Sequence, residues 1–265
     1  IDGNTDWSTS LQNVEVVIHL AARVHVMNEK ALDPLTEFRL INVEGTVNFA
    51  RQAALAGIKR FIYLSSIKVN GETTERGKPF SETDTPRPMD AYGISKFEAE
   101  QGLMKIMHET KMEVVMIRPP LVYGQGVKAN FASLLNIISR KIPLPLGDIQ
   151  NKRSFVYLGN LVSLIQLCTQ HSAAANQVFL VSDGHDLSTT ELLQKCAIAM
   201  CVKSRLISVP QKWIVAIATL LGKKEVAERL CGNLQVDITK ANKLLGWVPP
   251  FSVKDGLEAT TKNLS

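Results

Sequence analysis

The 265-residue sequence offers no framework for a disulfide scaffold or a metal centre. Its four cysteines, Cys168, Cys196, Cys201 and Cys231, form no CxxC pair and have no histidine nearby at ligand spacing. That excludes zinc ribbons and fingers, predicts no metal site, and points to structural thiols in a reducing compartment, the cytoplasm. Long hydrophobic runs are missing too. The longest, "WIVAIATLL" at 213–221, is far short of the roughly 20 residues of a membrane span, and reads as a buried or surface-docking helix. Charge of one sign is nowhere concentrated: 30 Lys and Arg face 25 Asp and Glu with no basic block and no interleaved aromatics. Nucleic acid is therefore not expected as a partner, although a local basic site for a phosphorylated small molecule stays open. No internal repeat, low-complexity stretch or signal peptide is visible, and the chain opens on Ile1.

What is present is an ordinary globular composition, 45% hydrophobic, enough to bury a core. "VEVVIHLAA" (14–22) is a β-branched run ending in small residues, the pattern of a parallel strand buried on both faces. A helical pattern follows from Pro34 to Gly57, then a second buried strand, "RFIYLSS" (60–66). After a polar loop, a helix is predicted from about Tyr92 to His108 and a third strand over "EVVMIRPP" (113–120). Beyond "LVYGQG" the elements shorten: helices near 130–140, 160–170, 189–200 and 210–221, with strands in "RSFVYL" and "QVFLVS". The alternation predicts an α/β protein with a Rossmann-like doubly wound parallel sheet. A soft boundary near 124 divides a dinucleotide-binding domain (1–124) from a smaller α/β substrate-binding domain (125–265) interleaved with it.

Ligands of such sheets bind outside the carboxyl ends of the strands. "HLAAR", Ser65-Ser66 and "RPP" lie at such ends, and "YGISK" puts Tyr92 and Lys96 one helical turn apart on one face. The chemistry that wants this set is hydride transfer to or from an alcohol. A phenol of ordinary pKa about 10 is a poor base unless a cation stabilises the phenolate; Lys96 is that cation, and the Ser66 hydroxyl can hold the substrate oxygen. Each residue also has a plainer reading. YxxxK recurs by chance, Ser65 suits a strand end, Ala21 and Ala22 suit packing or a close dinucleotide approach, and Asn42 suits an exposed helix position. Arg153 reads equally as a surface cation or as a bidentate phosphate ligand, and His19 as a satisfied core histidine.

The motifs "VIHLAARVHV", "NVEGTVNFARQA", "GIKRFIYLSSIKVNGE", "AYGISKFEAE", "RPPLVYGQG", "RSFVYLGNLVSLI" and "DITKANKLLGWVPPFSVKDGL" run in order over nearly the whole chain. Together they resemble the extended short-chain dehydrogenases/reductases of the nucleotide-sugar epimerase and dehydratase group. The resemblance implies NAD, with NADP open, as cofactor and a UDP-sugar as substrate. It assigns Leu20, Ala21, Ala22, Arg23, Asn42, Ser65 and Pro119 to the cofactor. Tyr92 becomes the general base and acid, and Lys96 the ligand of the nicotinamide ribose that also lowers the tyrosine pKa. Ser66, Asn130 and Arg153 go to the substrate, Arg153 on the nucleotide diphosphate. It also implies a homodimer through the Tyr92 helix and the helix before it.

The implied activity is C4 epimerisation of a UDP-hexose or UDP-N-acetylhexosamine through a 4-keto intermediate. The alternatives are a UDP-4-keto-sugar reductase using NAD(P)H, toward which "RPPLVYGQGVKANF" and "NKRSF" lean, a 3β-hydroxysteroid-like dehydrogenase, and a non-catalytic nucleotide-binding relative. Departures from the group are Asn70 where a Tyr is usual and Ser154 where an acid usually follows Arg153. The glycine-rich phosphate loop and the acidic ribose reader are also missing. "IDG" resembles the stretch after the group's third strand, so roughly 50 to 60 residues of a βαβ unit are expected to precede Ile1, and this stretch alone is expected to bind NAD poorly.

Overall fold

A computed structural model describes residues 1–24, 33–127 and 129–262. Four parallel strands make the main sheet: β1 (Val16–His19), β2 (Arg60–Leu64), β3 (Glu113–Arg118) and, after an excursion, β6 (Val178–Leu180), in the order β1-β2-β3-β6. The register sets Ile18 opposite Ile62 and Ile62 opposite Val115, with Ile117 opposite Phe179. β2 and β3 are buried along almost their whole length, as a sheet covered by helices on both faces requires. β4 (Leu121–Tyr123) and β5 (Phe155–Tyr157) pair parallel as a separate ribbon.

The helical pattern from Pro34 to Gly57 is not one regular helix. α1 (Pro34–Arg39) begins at an Asp33 cap, passes into a π-helical turn at Leu40–Gly45, and resumes as α2 (Thr46–Leu55). The wide turn rotates Asn42 into the interior, where it is 1% exposed, a placement typical of π-turns at functional positions. α3 (Ala91–Glu109) lies against α2 so closely that a Cβ on Gly102 would come within 2.5 Å of Val47 Cγ2.

Beyond β4, α4 (Ala129–Ser139), α5 (Leu158–Gln170), α6 (Thr189–Ala199) and α7 (Gln211–Leu220) fall where helices were expected. Ser188 and Glu191 make a capping box at the start of α6. Three further helices, α8 (Lys224–Cys231), α9 (Thr239–Leu245) and α10 (Val253–Thr261), have no counterpart in the sequence reading. α8 and α9 are only two turns long, too short to show a period. One apolar core joins Phe61, Tyr63, Ala99, Leu103 and Met116 beneath α2 and α3. Another joins Tyr123, Phe131, Leu135, Leu193 and Leu257 between α4, α6 and α10. Among the described residues no helix is long and apolar enough to cross a membrane, and no group of three or more His, Cys, Asp or Glu could hold a metal.

Candidate active site

The carboxyl ends of β1, β2 and β3 converge on the first turns of α3. Two devices fix that helix start. Asp90 caps it by accepting from Gly93 N at 2.7 Å, and Lys68 holds the cap through an ion pair with Asp90 while reaching Glu72 at 3.1 Å. Lys68 belongs to the short 3-10 turn Ile67–Val69 that follows Ser66, so the serine loop and the Tyr92 helix are tied by one cation. Pro119, the residue after β3, fastens the same turn, its carbonyl accepting from Ile67 N at 2.9 Å.

Ser66, Tyr92 and Lys96 face one another in this frame. Burial pushes the Tyr92 phenol up to about 12; the Asp90 charge adds to the rise and a hydrogen bond with Ser66 opposes it. Lys96 is 2% exposed and donates to Leu64 O at 2.8 Å. Its ammonium lies 4.5 Å from the Tyr63 ring centroid and 5.9 Å from that of Tyr92. Burial lowers its pKa to about 8, against the opposing pull of Glu100. The sequence argument had Lys96 pulling the Tyr92 pKa down. In the structure burial and then Asp90 govern the phenol, and the Lys96 ammonium, 5.9 Å from the Tyr92 ring, keeps donors beyond the one that meets Leu64 O.

Beneath the pair is a charge cluster that sequence reasoning missed. Arg118, at the end of β3, makes a two-pronged contact with Glu100 at 2.9 and 2.5 Å and a third bond to Asn70 Oδ1 at 2.9 Å. Glu100 lies one turn beyond Lys96 and two beyond Tyr92, a spacing legible in "YGISKFEAE". Asn70 also donates to Ser81 O at 2.8 Å. The position where a tyrosine is usual thus orders the 80s loop and the arginine.

Leu20–Arg23, expected to face the cofactor, leave β1 without regular secondary structure, with Leu20 and Ala21 exposed and Ala22 half-buried. Asn42 grips the segment from inside. It accepts from Arg23 N at 2.8 Å and donates to Arg23 O and to Ser95 Oγ, each at 3.0 Å, while Ser95 bonds Tyr92 O at 2.8 Å. With both ends of its amide engaged by protein, Asn42 ties the Leu20–Arg23 segment to the Tyr92 helix. A nicotinamide ribose fits the groups presented here. The Ser65 hydroxyl is buried with no hydrogen-bond partner among the described residues, Lys96 has three N–H donors for one carbonyl, and the alanines admit close approach.

Tyr92 lines a cleft of about 500 Å³ together with Phe38, Glu72, Asp90, Glu225 and Arg229. Arg153 is fixed by backbone bridges to Leu187 and Leu234 and donates to Gly232 O at 3.2 Å. Its pKa is lowered by burial and then by the nearby Arg229 cation, with Glu72 opposing. Arg229 is a second site candidate that the sequence did not disclose, since α8 carries several charges and nothing local distinguishes one. Ser154 donates to Asp186 at 2.5 Å, and Gln235 donates to the other oxygen of that carboxylate at 2.7 Å. An acid absent at 154 is therefore present in space. Asn130 lies in the first turn of α4 with its side chain outside the described residues.

A parallel sheet presenting Ser, Tyr and Lys at its carboxyl edge defines the class, a short-chain dehydrogenase/reductase built for hydride transfer. Residues 2–182 match the NAD dependent epimerase/dehydratase family, and the chain belongs to it. It is 51% identical over 263 residues to a protein of Vibrio cholerae described as UDP-glucose 4-epimerase, covering 99% of this chain and 80% of that one. Its fold matches the UDP-glucuronic acid 4-epimerase of Bacillus cereus solved with NAD, at TM-score 0.76 and 22% identity over 98% of this chain and 77% of the other. It also matches the UDP-glucose 4-epimerase of Thermotoga maritima solved with UDP-glucose, at TM-score 0.75 and 23% identity over 96% and 78%.

Proposed function

We propose that the protein interconverts the C4 epimers of a UDP-hexose or UDP-N-acetylhexosamine, with NAD retained through the cycle. The observation that carries this reading is the Tyr92 phenol, hydrogen-bonded to Ser66 and with the Lys96 ammonium 5.9 Å from its ring, in a cleft that Tyr92 lines together with Arg229, which in turn lies near Arg153. Two guanidiniums suit a diphosphate, and a hydroxyl-phenol-ammonium set suits a secondary alcohol. When bound, NAD would supply the hydride acceptor for C4 and a positive charge that favours the Tyr92 phenolate. Tyr92 accepts the C4 hydroxyl proton as the carbonyl forms, Ser66 holds that oxygen, and Lys96 holds the nicotinamide ribose. Rotation of the 4-keto sugar would expose its other face to the returning hydride, while Tyr92 gives the proton back to the C4 oxygen and the alcohol re-forms. Ser65 and the Leu20–Arg23 segment line the cofactor, and Asn42 acts by fixing that segment.

The division into residues 1–124 and 125–265 is part of the same proposal. The separate core around Leu135 supports it, and β6, which returns to the first sheet, accounts for the interleaving. We further propose a homodimer through α2 and α3, and a cytoplasmic site supported by the buried thiols of Cys168, Cys196 and Cys231.

Tyr92→Phe in the full chain should lower kcat by about 10²–10⁴-fold with UDP-galactose or UDP-N-acetylgalactosamine, leaving NAD binding by fluorescence titration nearly unchanged. Unaltered turnover would remove Tyr92 from the chemistry and favour a non-catalytic relative. Supplied with a UDP-4-keto sugar and NADPH, the native protein should not consume NADPH stoichiometrically; if it does, the reductase reading replaces this one.

A further inference from the structure

α7 is the least absorbed element of the fold. It is apolar nearly all round, yet among its described residues none is buried. Ile214 and Val215 rest partly buried against the core of the second region. The opposite face carries Trp213, Ile217 and Leu220, three and four residues apart on one side of the helix, with Leu221 just beyond its end. Leu220 is 87% exposed and Trp213 67%. A stripe of this kind is what an interfacial helix presents, and the ten residues of α7 are too few to cross a bilayer. Lys212 stands exposed at one end of the stripe and Lys223 and Lys224 at the other. On α8, Glu228 pairs with Lys224 at 3.5 Å and Glu225 with Arg229 at 3.7 Å, so the basic ends of the stripe rest on Lys212 and Lys223.

We propose that α7 docks the protein on an anionic lipid surface, with Trp213, Ile217, Leu220 and Leu221 entering the headgroup boundary and Lys212 and Lys223 meeting lipid phosphates. Basic ends with an aromatic on the apolar face complement such a surface. They disfavour a second copy as occupant, since either orientation of a paired α7 brings lysines against lysines. α8 follows directly and lines the Tyr92 cleft through Arg229, so docking would hold the mouth of the cleft near the membrane plane.

The test is flotation of the full chain with vesicles of phosphatidylglycerol and phosphatidylcholine, and with pure phosphatidylcholine, at low and high salt. The protein should float with the anionic vesicles at low salt and stay behind in the other conditions. Trp213→Ser combined with Ile217→Ser and Leu220→Ser should abolish flotation while keeping the melting midpoint and turnover of soluble UDP-sugar. Lys212→Gln and Lys223→Gln should each weaken partitioning by roughly fivefold. Quenching by brominated lipid, expected for the native protein and lost in Trp213→Phe, reports the same contact without the triple variant. Failure of the native protein to float, or flotation undiminished in the triple variant, overturns the proposal. So does a native dimer that the triple variant splits in light scattering, which would assign the stripe to a second copy. Turnover is read separately, so the docking face can fail while the epimerase reading stands, or the reverse.

Discussion

The Tyr63 ring touches neither nucleotide nor sugar in the proposed chemistry, yet it lies under the Lys96 ammonium at 4.5 Å. A cation over an aromatic face gains electrostatic support, more so when desolvated. Tyr63→Leu should therefore lower the Lys96 pKa below its value of about 8 and move the alkaline limb of the kcat profile to lower pH. Tyr63→Phe keeps the ring and should leave that limb in place; a limb that moves equally in both variants would deny the ring this role. Behind Tyr63, His19 bonds Thr46 Oγ1 at 3.0 Å, and burial, helped by the Lys96 charge, lowers its pKa from 6.5 to about 4. The unfolded chain then binds the extra proton between those values, so stability rises with pH from about 4 to 6.5 and falls on acidification through the same window. A gap of roughly 2.5 pH units at about 1.4 kcal/mol each comes to about 3 kcal/mol. Urea melts across that window should show His19→Asn losing much of this slope, and a slope equal to the native one would contradict the assignment.

α3 concentrates the site. One face carries Tyr92, Lys96 and Glu100, and the cap at Asp90 is clamped by Lys68. Glu100→Gln should act twice. It leaves Arg118, 5% exposed, without its counter-ion, at a cost of about 3–5 kcal/mol. It also removes the negative charge that supports Lys96. Replacing both partners by Met should cost less than the single change, and a denaturant series in which the double is the weaker protein would contradict that ordering. Tyr92 and Lys96 were legible as a pair because their helical spacing is local. Glu100 had the same spacing but looked like any surface acid, since its partner sits at the end of another strand. The break at Leu40–Gly45 was illegible for a related reason: the apolar period continues through it, and only the buried contacts of Asn42 explain the wider turn.

At the scale of the whole molecule, the alternation of buried runs and helical patterns read correctly because parallel strands carry continuous β-branched runs that need no partner to be recognised. The cleft did not read, because its walls come from distant segments. Arg153 is fixed through Leu187 and Leu234, and Arg229 arrives on a short helix with no period to betray it. The same distance explains why Ser154 looked like a loss. Its hydroxyl reaches Asp186 at 2.5 Å, so a second acid at 154 would set two carboxylates side by side in a largely buried place. Ser154→Asp should destabilise the protein, and Asp186→Asn should restore it; calorimetry of the two singles and the double gives the coupling, and simple additivity would refute it. On that expectation, a chain that carries the acid at one position loses stability when it acquires one at the other in a single step. The order of substitution is constrained, and the two positions should change as a pair when such sequences diverge.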